Sequence, residues 1–231
     1  KSTDYFNTKL YTGNGSTQSI TGVGFQPDFL WIKERSSTSA HTAHDAVRGA
    51  TKYLVPNTND LEGTGFVSSF DSDGFSLPSN NLSNENSQTY VAWNWKANGQ
   101  GSSNTDGSVN TTYTSANTTA GFSIVKYDGP GSGSGTVGHG LGVKPKLLIV
   151  KSMTNSENWG FWIDTTGNGT ADKRLVLNGT ASDYGNYFAS FQNTTFTLPS
   201  HNDGGWSGSG KTYIAYCFAE KTGFSKFGSY K

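Results

Sequence analysis

Several short runs carry residue types that do chemistry elsewhere. Gly205-Trp206-Ser207-Gly208-Ser209-Gly210-Lys211-Thr212 satisfies the Gly-x4-Gly-Lys-Thr pattern of phosphate-binding loops letter for letter. That chemistry needs the loop to join a buried strand to a helix, whose first N–H groups and lysine meet the phosphates. Here the loop follows Ser200-His201-Asn202-Asp203-Gly204 and runs into Tyr213-Ile214-Ala215-Tyr216-Cys217-Phe218, which alternates like a strand. The pattern therefore reads as a flexible turn. His41, His44, Asp45 and Arg48 form a local polar cluster, but no third or fourth metal ligand accompanies the two histidines. Glycoside hydrolysis needs two carboxylates facing each other across a cleft. The glutamates at 34, 62, 85, 157 and 220 are scattered, and Asp71-Ser72-Asp73-Gly74 has the spacing of a turn. The Asn/Asp-rich run 57–62 lacks the regular acidic spacing of a calcium loop. No metal site, cofactor or catalytic group is expected.

The remaining chemistry is aromatic. Trp206 sits in a Gly/Ser loop beside His201, Asn202 and Asp203. An indole flanked by polar groups can stack on a sugar ring while its neighbours hydrogen-bond the hydroxyls. These four residues are the candidate glycan contacts; the favoured reading of Trp206 is packing, as a lid on its own sandwich or as a subunit contact. Trp31 and Trp93 have counterparts in a second copy of the motif, Ile149 and Tyr216, and are expected in the core.

The composition limits the scaffold. The chain has 231 residues, 32% hydrophobic, 15% charged and 13% aromatic, with 17 basic against 17 acidic side chains. Helical bundles need more Ala, Leu, Glu and Lys. A nucleic-acid partner needs an excess of positive charge. Membrane insertion by a helix needs about 20 consecutive apolar residues, and the longest aliphatic run is Leu147-Leu148-Ile149-Val150. Cys217 is the single cysteine, so an internal disulfide is impossible. Abundant glycine, threonine and aromatic residues point to an all-β protein.

The elements are written twice. Gly22-Val23-Gly24-Phe25-Gln26-Pro27-Asp28-Phe29-Leu30-Trp31-Ile32-Lys33 and Gly140-Leu141-Gly142-Val143-Lys144-Pro145-Lys146-Leu147-Leu148-Ile149-Val150-Lys151 share one pattern. Tyr11-Thr12-Gly13 matches Tyr127-Asp128-Gly129. Phe75-Ser76-Leu77-Pro78 matches Phe196-Thr197-Leu198-Pro199, and Thr89-Tyr90-Val91-Ala92-Trp93 matches Thr212-Tyr213-Ile214-Ala215-Tyr216. Repeats in one order mean two homologous units. The expected division is 1–100, a Ser/Thr/Asn-rich linker or edge strand over 101–120, and 121–231. Period-two alternation puts Val91, Trp93 and Trp95 on one strand face and Tyr90, Ala92 and Asn94 on the other. Six or seven short strands per unit fit tandem β-sandwiches of jelly-roll or lectin-like type. Residues 43–54 have room for one helical turn.

Longer motifs carry a resemblance. Tyr11–Ser16, Phe25–Lys33, Arg48–Leu54, Thr89–Lys96, Asn104–Ser108 and Ser225–Tyr230 resemble repeat-containing structural proteins of marine bacteriophages, including those of picocyanobacteria. The resemblance implies a non-enzymatic virion protein at the particle surface: a tail fibre, an appendage or a head decoration. The implied partners are other virion proteins and copies of itself, with host polysaccharide as the ligand of a lectin-like variant and depolymerase activity as the least favoured reading.

Overall fold

The expected alternation and its twofold repetition both appear as strands. The computed structural model describes residues 1–131, 135–180, 189–198 and 204–228. It is all-β, built from antiparallel sheets. The chain divides into two units, Lys1–Asn57 with Glu62–Gln100, and Thr58–Leu61 with Gly101–Lys231. His201, Asn202 and Asp203, three of the four candidate glycan contacts, lie outside the described residues.

In the first unit a 3-10 turn at Ser2–Asp4 precedes β1 (Phe6–Thr12), β2 (Gln18–Ile20), β3 (Phe29–Glu34), β4 (Thr42–Asp45), β5 (Lys52–Leu54), β6 (Gly63–Thr64), β7 (Ser69–Asp71), β8 (Gly74–Leu77) and β9 (Thr89–Trp95). The run 43–54 thus holds β4, a turn and β5 instead of a helical turn. One sheet has the order β1-β9-β3-β4-β5-β6, and a small sheet has the order β2-β8-β7. Ile20, Phe75 and Leu77 from the small sheet meet Leu30, Ile32, Tyr90 and Ala92 from the large one in a shared core. That is a sandwich-like arrangement.

The second unit repeats it with β10 (Thr111–Asn117), β11 (Phe122–Asp128), β12 (Thr136–Gly138), β13 (Leu147–Ser152), β14 (Gly160–Ile163), β15 (Lys173–Val176), β16 (Ser190–Phe191), β17 (Thr195–Thr197) and β18 (Thr212–Phe218). Its sheets are ordered β10-β11-β18-β13-β14-β15 and β12-β17-β16. The stretch 101–120 therefore contains an edge strand, β10. Among the core residues are Tyr127, Leu148, Trp162, Phe191, Phe196, Tyr213, Ala215 and Cys217.

The shared motifs build the same local structures. Tyr11 and Tyr90 stack 5.0 Å apart, and Tyr127 and Tyr213 stack 5.3 Å apart. The Tyr11 hydroxyl donates to the Ser83 carbonyl and that of Tyr127 to the Trp206 carbonyl, each at 2.8 Å. The motif lysines also agree: Lys33 Nζ donates to the carbonyls of Glu34 and Ser37, and Lys151 Nζ to those of Ser152 and Asn155. Each ammonium ties down the loop that leaves its strand. Gly13 and Gly129 are glycines because backbone passes over them. A Cβ at either would lie 2.2 Å from a carbonyl oxygen, that of Glu85 or of Gly208.

Candidate functional site

The strand β9 turns Tyr90, Ala92 and Asn94 inward. Tyr90 and Ala92 belong to the core, so Val91, Trp93 and Trp95 face the other way. Trp31 lies directly opposite Trp93 across the β3–β9 pair, and Phe29 lies opposite Trp95. Phe6 on β1 meets Trp95 from the far side. The outer face of the first unit's sheet therefore carries a row of aromatic rings. Trp31, Trp93 and Trp95 are half-buried, not core residues, which corrects the expectation for Trp31 and Trp93. Their counterparts Ile149 and Tyr216 are buried.

The rings hold one another in fixed orientations. Trp31 meets Trp93 edge-on, with centroids 6.5 Å apart at 87°. Phe29 and Trp95 are 5.1 Å apart, and Phe6 and Trp95 are 4.9 Å apart. The Trp31 indole N–H donates to His41 Nδ1 at 2.9 Å. That bond makes Nδ1 an acceptor, so the neutral imidazole carries its proton on Nε2. Burial, with help from Lys33, holds the His41 pKa below the usual histidine value and favours this neutral form. The His41 main-chain N–H is itself anchored by Asn57 Oδ1 at 2.9 Å. Trp31, His41, Trp93 and Trp95 line an open cleft of about 330 Å³. Such a cleft offers aromatic faces for C–H groups and an imidazole for a hydroxyl.

Trp206 takes the packing role and not that of a glycan contact. It is only 3% exposed and sits in the second unit's core. Its ring packs edge-on against Trp162, 5.3 Å away, and the Arg174 guanidinium lies 4.4 Å from its centroid. Both the ring and its faces are spent on packing, so Trp206 does not present a stacking surface. The surrounding loop is likewise structural. Gly131 N–H donates to the Ser207 carbonyl, Gly208 N–H donates to the Tyr213 hydroxyl, and that hydroxyl donates to the Gly204 carbonyl. The loop enters β18, a strand, so the helix terminus of a phosphate-binding loop is not formed.

The other candidates separate in space. His44 points into the first unit's interior, where its Nδ1 pairs with the Ala50 carbonyl at 2.8 Å, while His41 lies on the aromatic face. Asp45 accepts from Arg48 Nε at 2.6 Å inside the fold. Asp73 accepts from the N–H groups of Gly24 and Gly22, which lower its pKa, so it is a loop clamp. Among the described residues no group of three or more His, Cys, Asp or Glu side chains is placed to hold a metal ion. Cys217 is buried, and desolvation pushes its thiol up to about 12, which leaves it unreactive.

Sequence reading missed the aromatic row because alternation defines two strand faces without saying which one turns inward. A signal was present. Tyr90 and Ala92 are identical in the second copy, as Tyr213 and Ala215, whereas Trp93 and Trp95 become Tyr216 and Phe218. The face that keeps Tyr and Ala in both copies, with Asn94 replaced by Cys217, is the core face. No helix among the described residues is long and apolar enough to cross a membrane. No curated protein and no solved structure matches the chain. One family profile matches residues 1–231, and the chain accordingly belongs to the family described as a domain of unknown function (DUF7483).

Proposed function

We propose that this protein is a non-enzymatic binding module of a phage particle surface, and that it recognises polysaccharide through the aromatic row of its first unit. The cleft of Trp31, Trp93, Trp95 and His41 carries the reading. Rigid indoles on a sheet face stack on the apolar faces of sugar rings at little entropic cost, and a nearby imidazole supplies orientation. The virion setting rests on the phage-protein resemblance of the sequence motifs.

The test is affinity electrophoresis and calorimetry of the whole chain against host-surface polysaccharides. Trp93→Ala is expected to weaken binding at least tenfold, about 1.4 kcal/mol. Trp206→Ala, where the variant folds, is expected to bind as wild type does. Equal binding by wild type and Trp93→Ala would remove the site. Loss in Trp206→Ala alone would return it to the Gly/Ser loop.

A further inference from the structure

The side chains lining the first unit's cleft can donate hydrogen bonds but have no acceptor left over. An indole N–H only donates, and a neutral imidazole has one donor and one acceptor. The acceptor, His41 Nδ1, is occupied by the Trp31 indole at 2.9 Å. The Nε2–H of His41 and the indole N–H of Trp93 bond to no protein group among the described residues, and neither is sealed from solvent. Lys33, two residues beyond Trp31 on the same strand face, is a donor as well. Its ammonium is turned onto the carbonyls of Glu34 and Ser37. The rest of the lining is ring carbon. Trp31 and Trp93 meet at 87° and form a corner of two aromatic planes.

A ligand that fills such a cleft must bring acceptors and apolar surface, and it must bury no donor. A sugar hydroxyl fails the last condition, because its own proton loses water and finds no acceptor. A carboxylate brings acceptors but gives up its hydration to neutral, apolar walls. An acetyl group meets every condition, since its carbonyl accepts and its methyl group donates nothing. In an acetamido group the N–H lies trans to the carbonyl and can stay in water. We propose that this cleft, granted the glycan-binding role assigned to it above, takes an acetylated sugar: the acetyl carbonyl accepts from His41 Nε2–H, and the methyl group packs into the corner of Trp31 and Trp93. Trp31 is then also a positioning residue, because its N–H sets the imidazole tautomer that donates. The second unit offers no such site, since Ile149 and Tyr216 stand in place of Trp31 and Trp93 and are buried.

The probes are β-1,4-linked tetramers of N-acetylglucosamine, glucosamine, glucose and glucuronate, titrated against the whole chain by calorimetry. O-acetylated xylotetraose, before and after mild alkali removes its esters, is titrated in parallel. The acetylated ligands are expected to bind at least tenfold tighter than their unacetylated partners. An advantage in only one series names the amide or the ester as the source of the acetyl group. His41→Phe keeps a ring but removes the donor, and it is expected to bring that ratio below threefold. His41→Gln can accept from Trp31 and still donate, and it is expected to keep the ratio above threefold. The proposal is overturned by equal binding with and without acetyl groups, by tighter binding of the glucuronate tetramer, by no binding of either acetylated ligand, or by an unchanged ratio in His41→Phe. After any of these, host polysaccharide binding that Trp93→Ala weakens leaves the cleft as a stacking site without acetyl selectivity. Polysaccharide binding untouched by Trp93→Ala removes the site itself.

Discussion

His44 and Trp206 show how a polar or aromatic residue that looks functional can be a packing device. His44 has no exposed surface, and burial pulls its pKa down to about 3. In the unfolded chain it titrates near the usual 6.5, so between those values the unfolded state binds the extra proton. Stability therefore falls as pH drops below about 6.5 and continues to fall toward about 3. At pH 5 the His44 contribution amounts to a loss of about 2 kcal/mol relative to neutral pH. Urea unfolding at pH 7 and pH 5 is expected to show this loss in wild type and a smaller one in His44→Gln. His139 is also buried with a lowered pKa, so the difference between the two proteins isolates His44. An identical pH dependence would refute the assignment. Trp206→Ala is expected to destabilise the second unit by roughly 3–5 kcal/mol, because it opens a cavity against Trp162 and Arg174. A loss under about 1 kcal/mol in chemical denaturation would mean that the ring is not packed as described. The sequence marked both residues as unusual. It carried no sign of burial, because Trp206 is enclosed by residues distant in the chain, such as Trp162 and Arg174, while its immediate neighbours are glycine and serine.

Strands were the most legible level. The repeated blocks located β3, β9, β13 and β18 and their equivalence, since β9 and β18 alternate while β3 and β13 are continuous apolar runs, each with a proline two residues upstream. The short pieces were harder. β6 is two residues long and pairs with β5 through Lys52–Thr64 and Tyr53–Gly63, a contact set by tertiary closeness and not by any local pattern. The facing of β9 makes an inverted expectation testable. Ala92 is fully buried beneath Tyr90 and Leu30, although the tryptophans beside it look more like core residues. Ala92→Leu is expected to cost about 1–3 kcal/mol by overpacking. Trp93→Ala, one residue on, is expected to cost less despite the larger change in volume, because its ring is half-buried on the outer face. Thermal and urea unfolding of the two variants check the order. The reverse order would put the tryptophans inside and dissolve the proposed binding face.

At the scale of the whole molecule, what matters is charge balance and copy number. With 17 basic and 17 acidic side chains, the chain has no net field to steer it toward an anionic envelope. A cleft built from indoles and a neutral histidine gives contacts that salt does not screen. Polysaccharide binding is therefore expected to change less than twofold between low and high salt. A steep salt dependence would mean that lysines, not tryptophans, make the contact. On the proposed reading, a single cleft of about 330 Å³ would cover only a few sugar rings, and one copy would bind weakly. Display in many copies converts later contacts into intramolecular ones and raises the apparent affinity by about 10²–10⁴. A streptavidin-tethered tetramer of the whole chain is expected to hold polysaccharide-coated cells that the monomer does not. Trp93→Ala is expected to fail in both forms. The particle itself gives the complementary test, because a display role requires the epitope on its outside. Immunogold electron microscopy of intact virions with antibody to this chain is expected to place gold on a tail fibre or appendage. Gold spread over the head would assign the avidity to decoration of the capsid. The absence of gold from every particle would reject the display role and leave the aromatic cleft to be explained outside a virion.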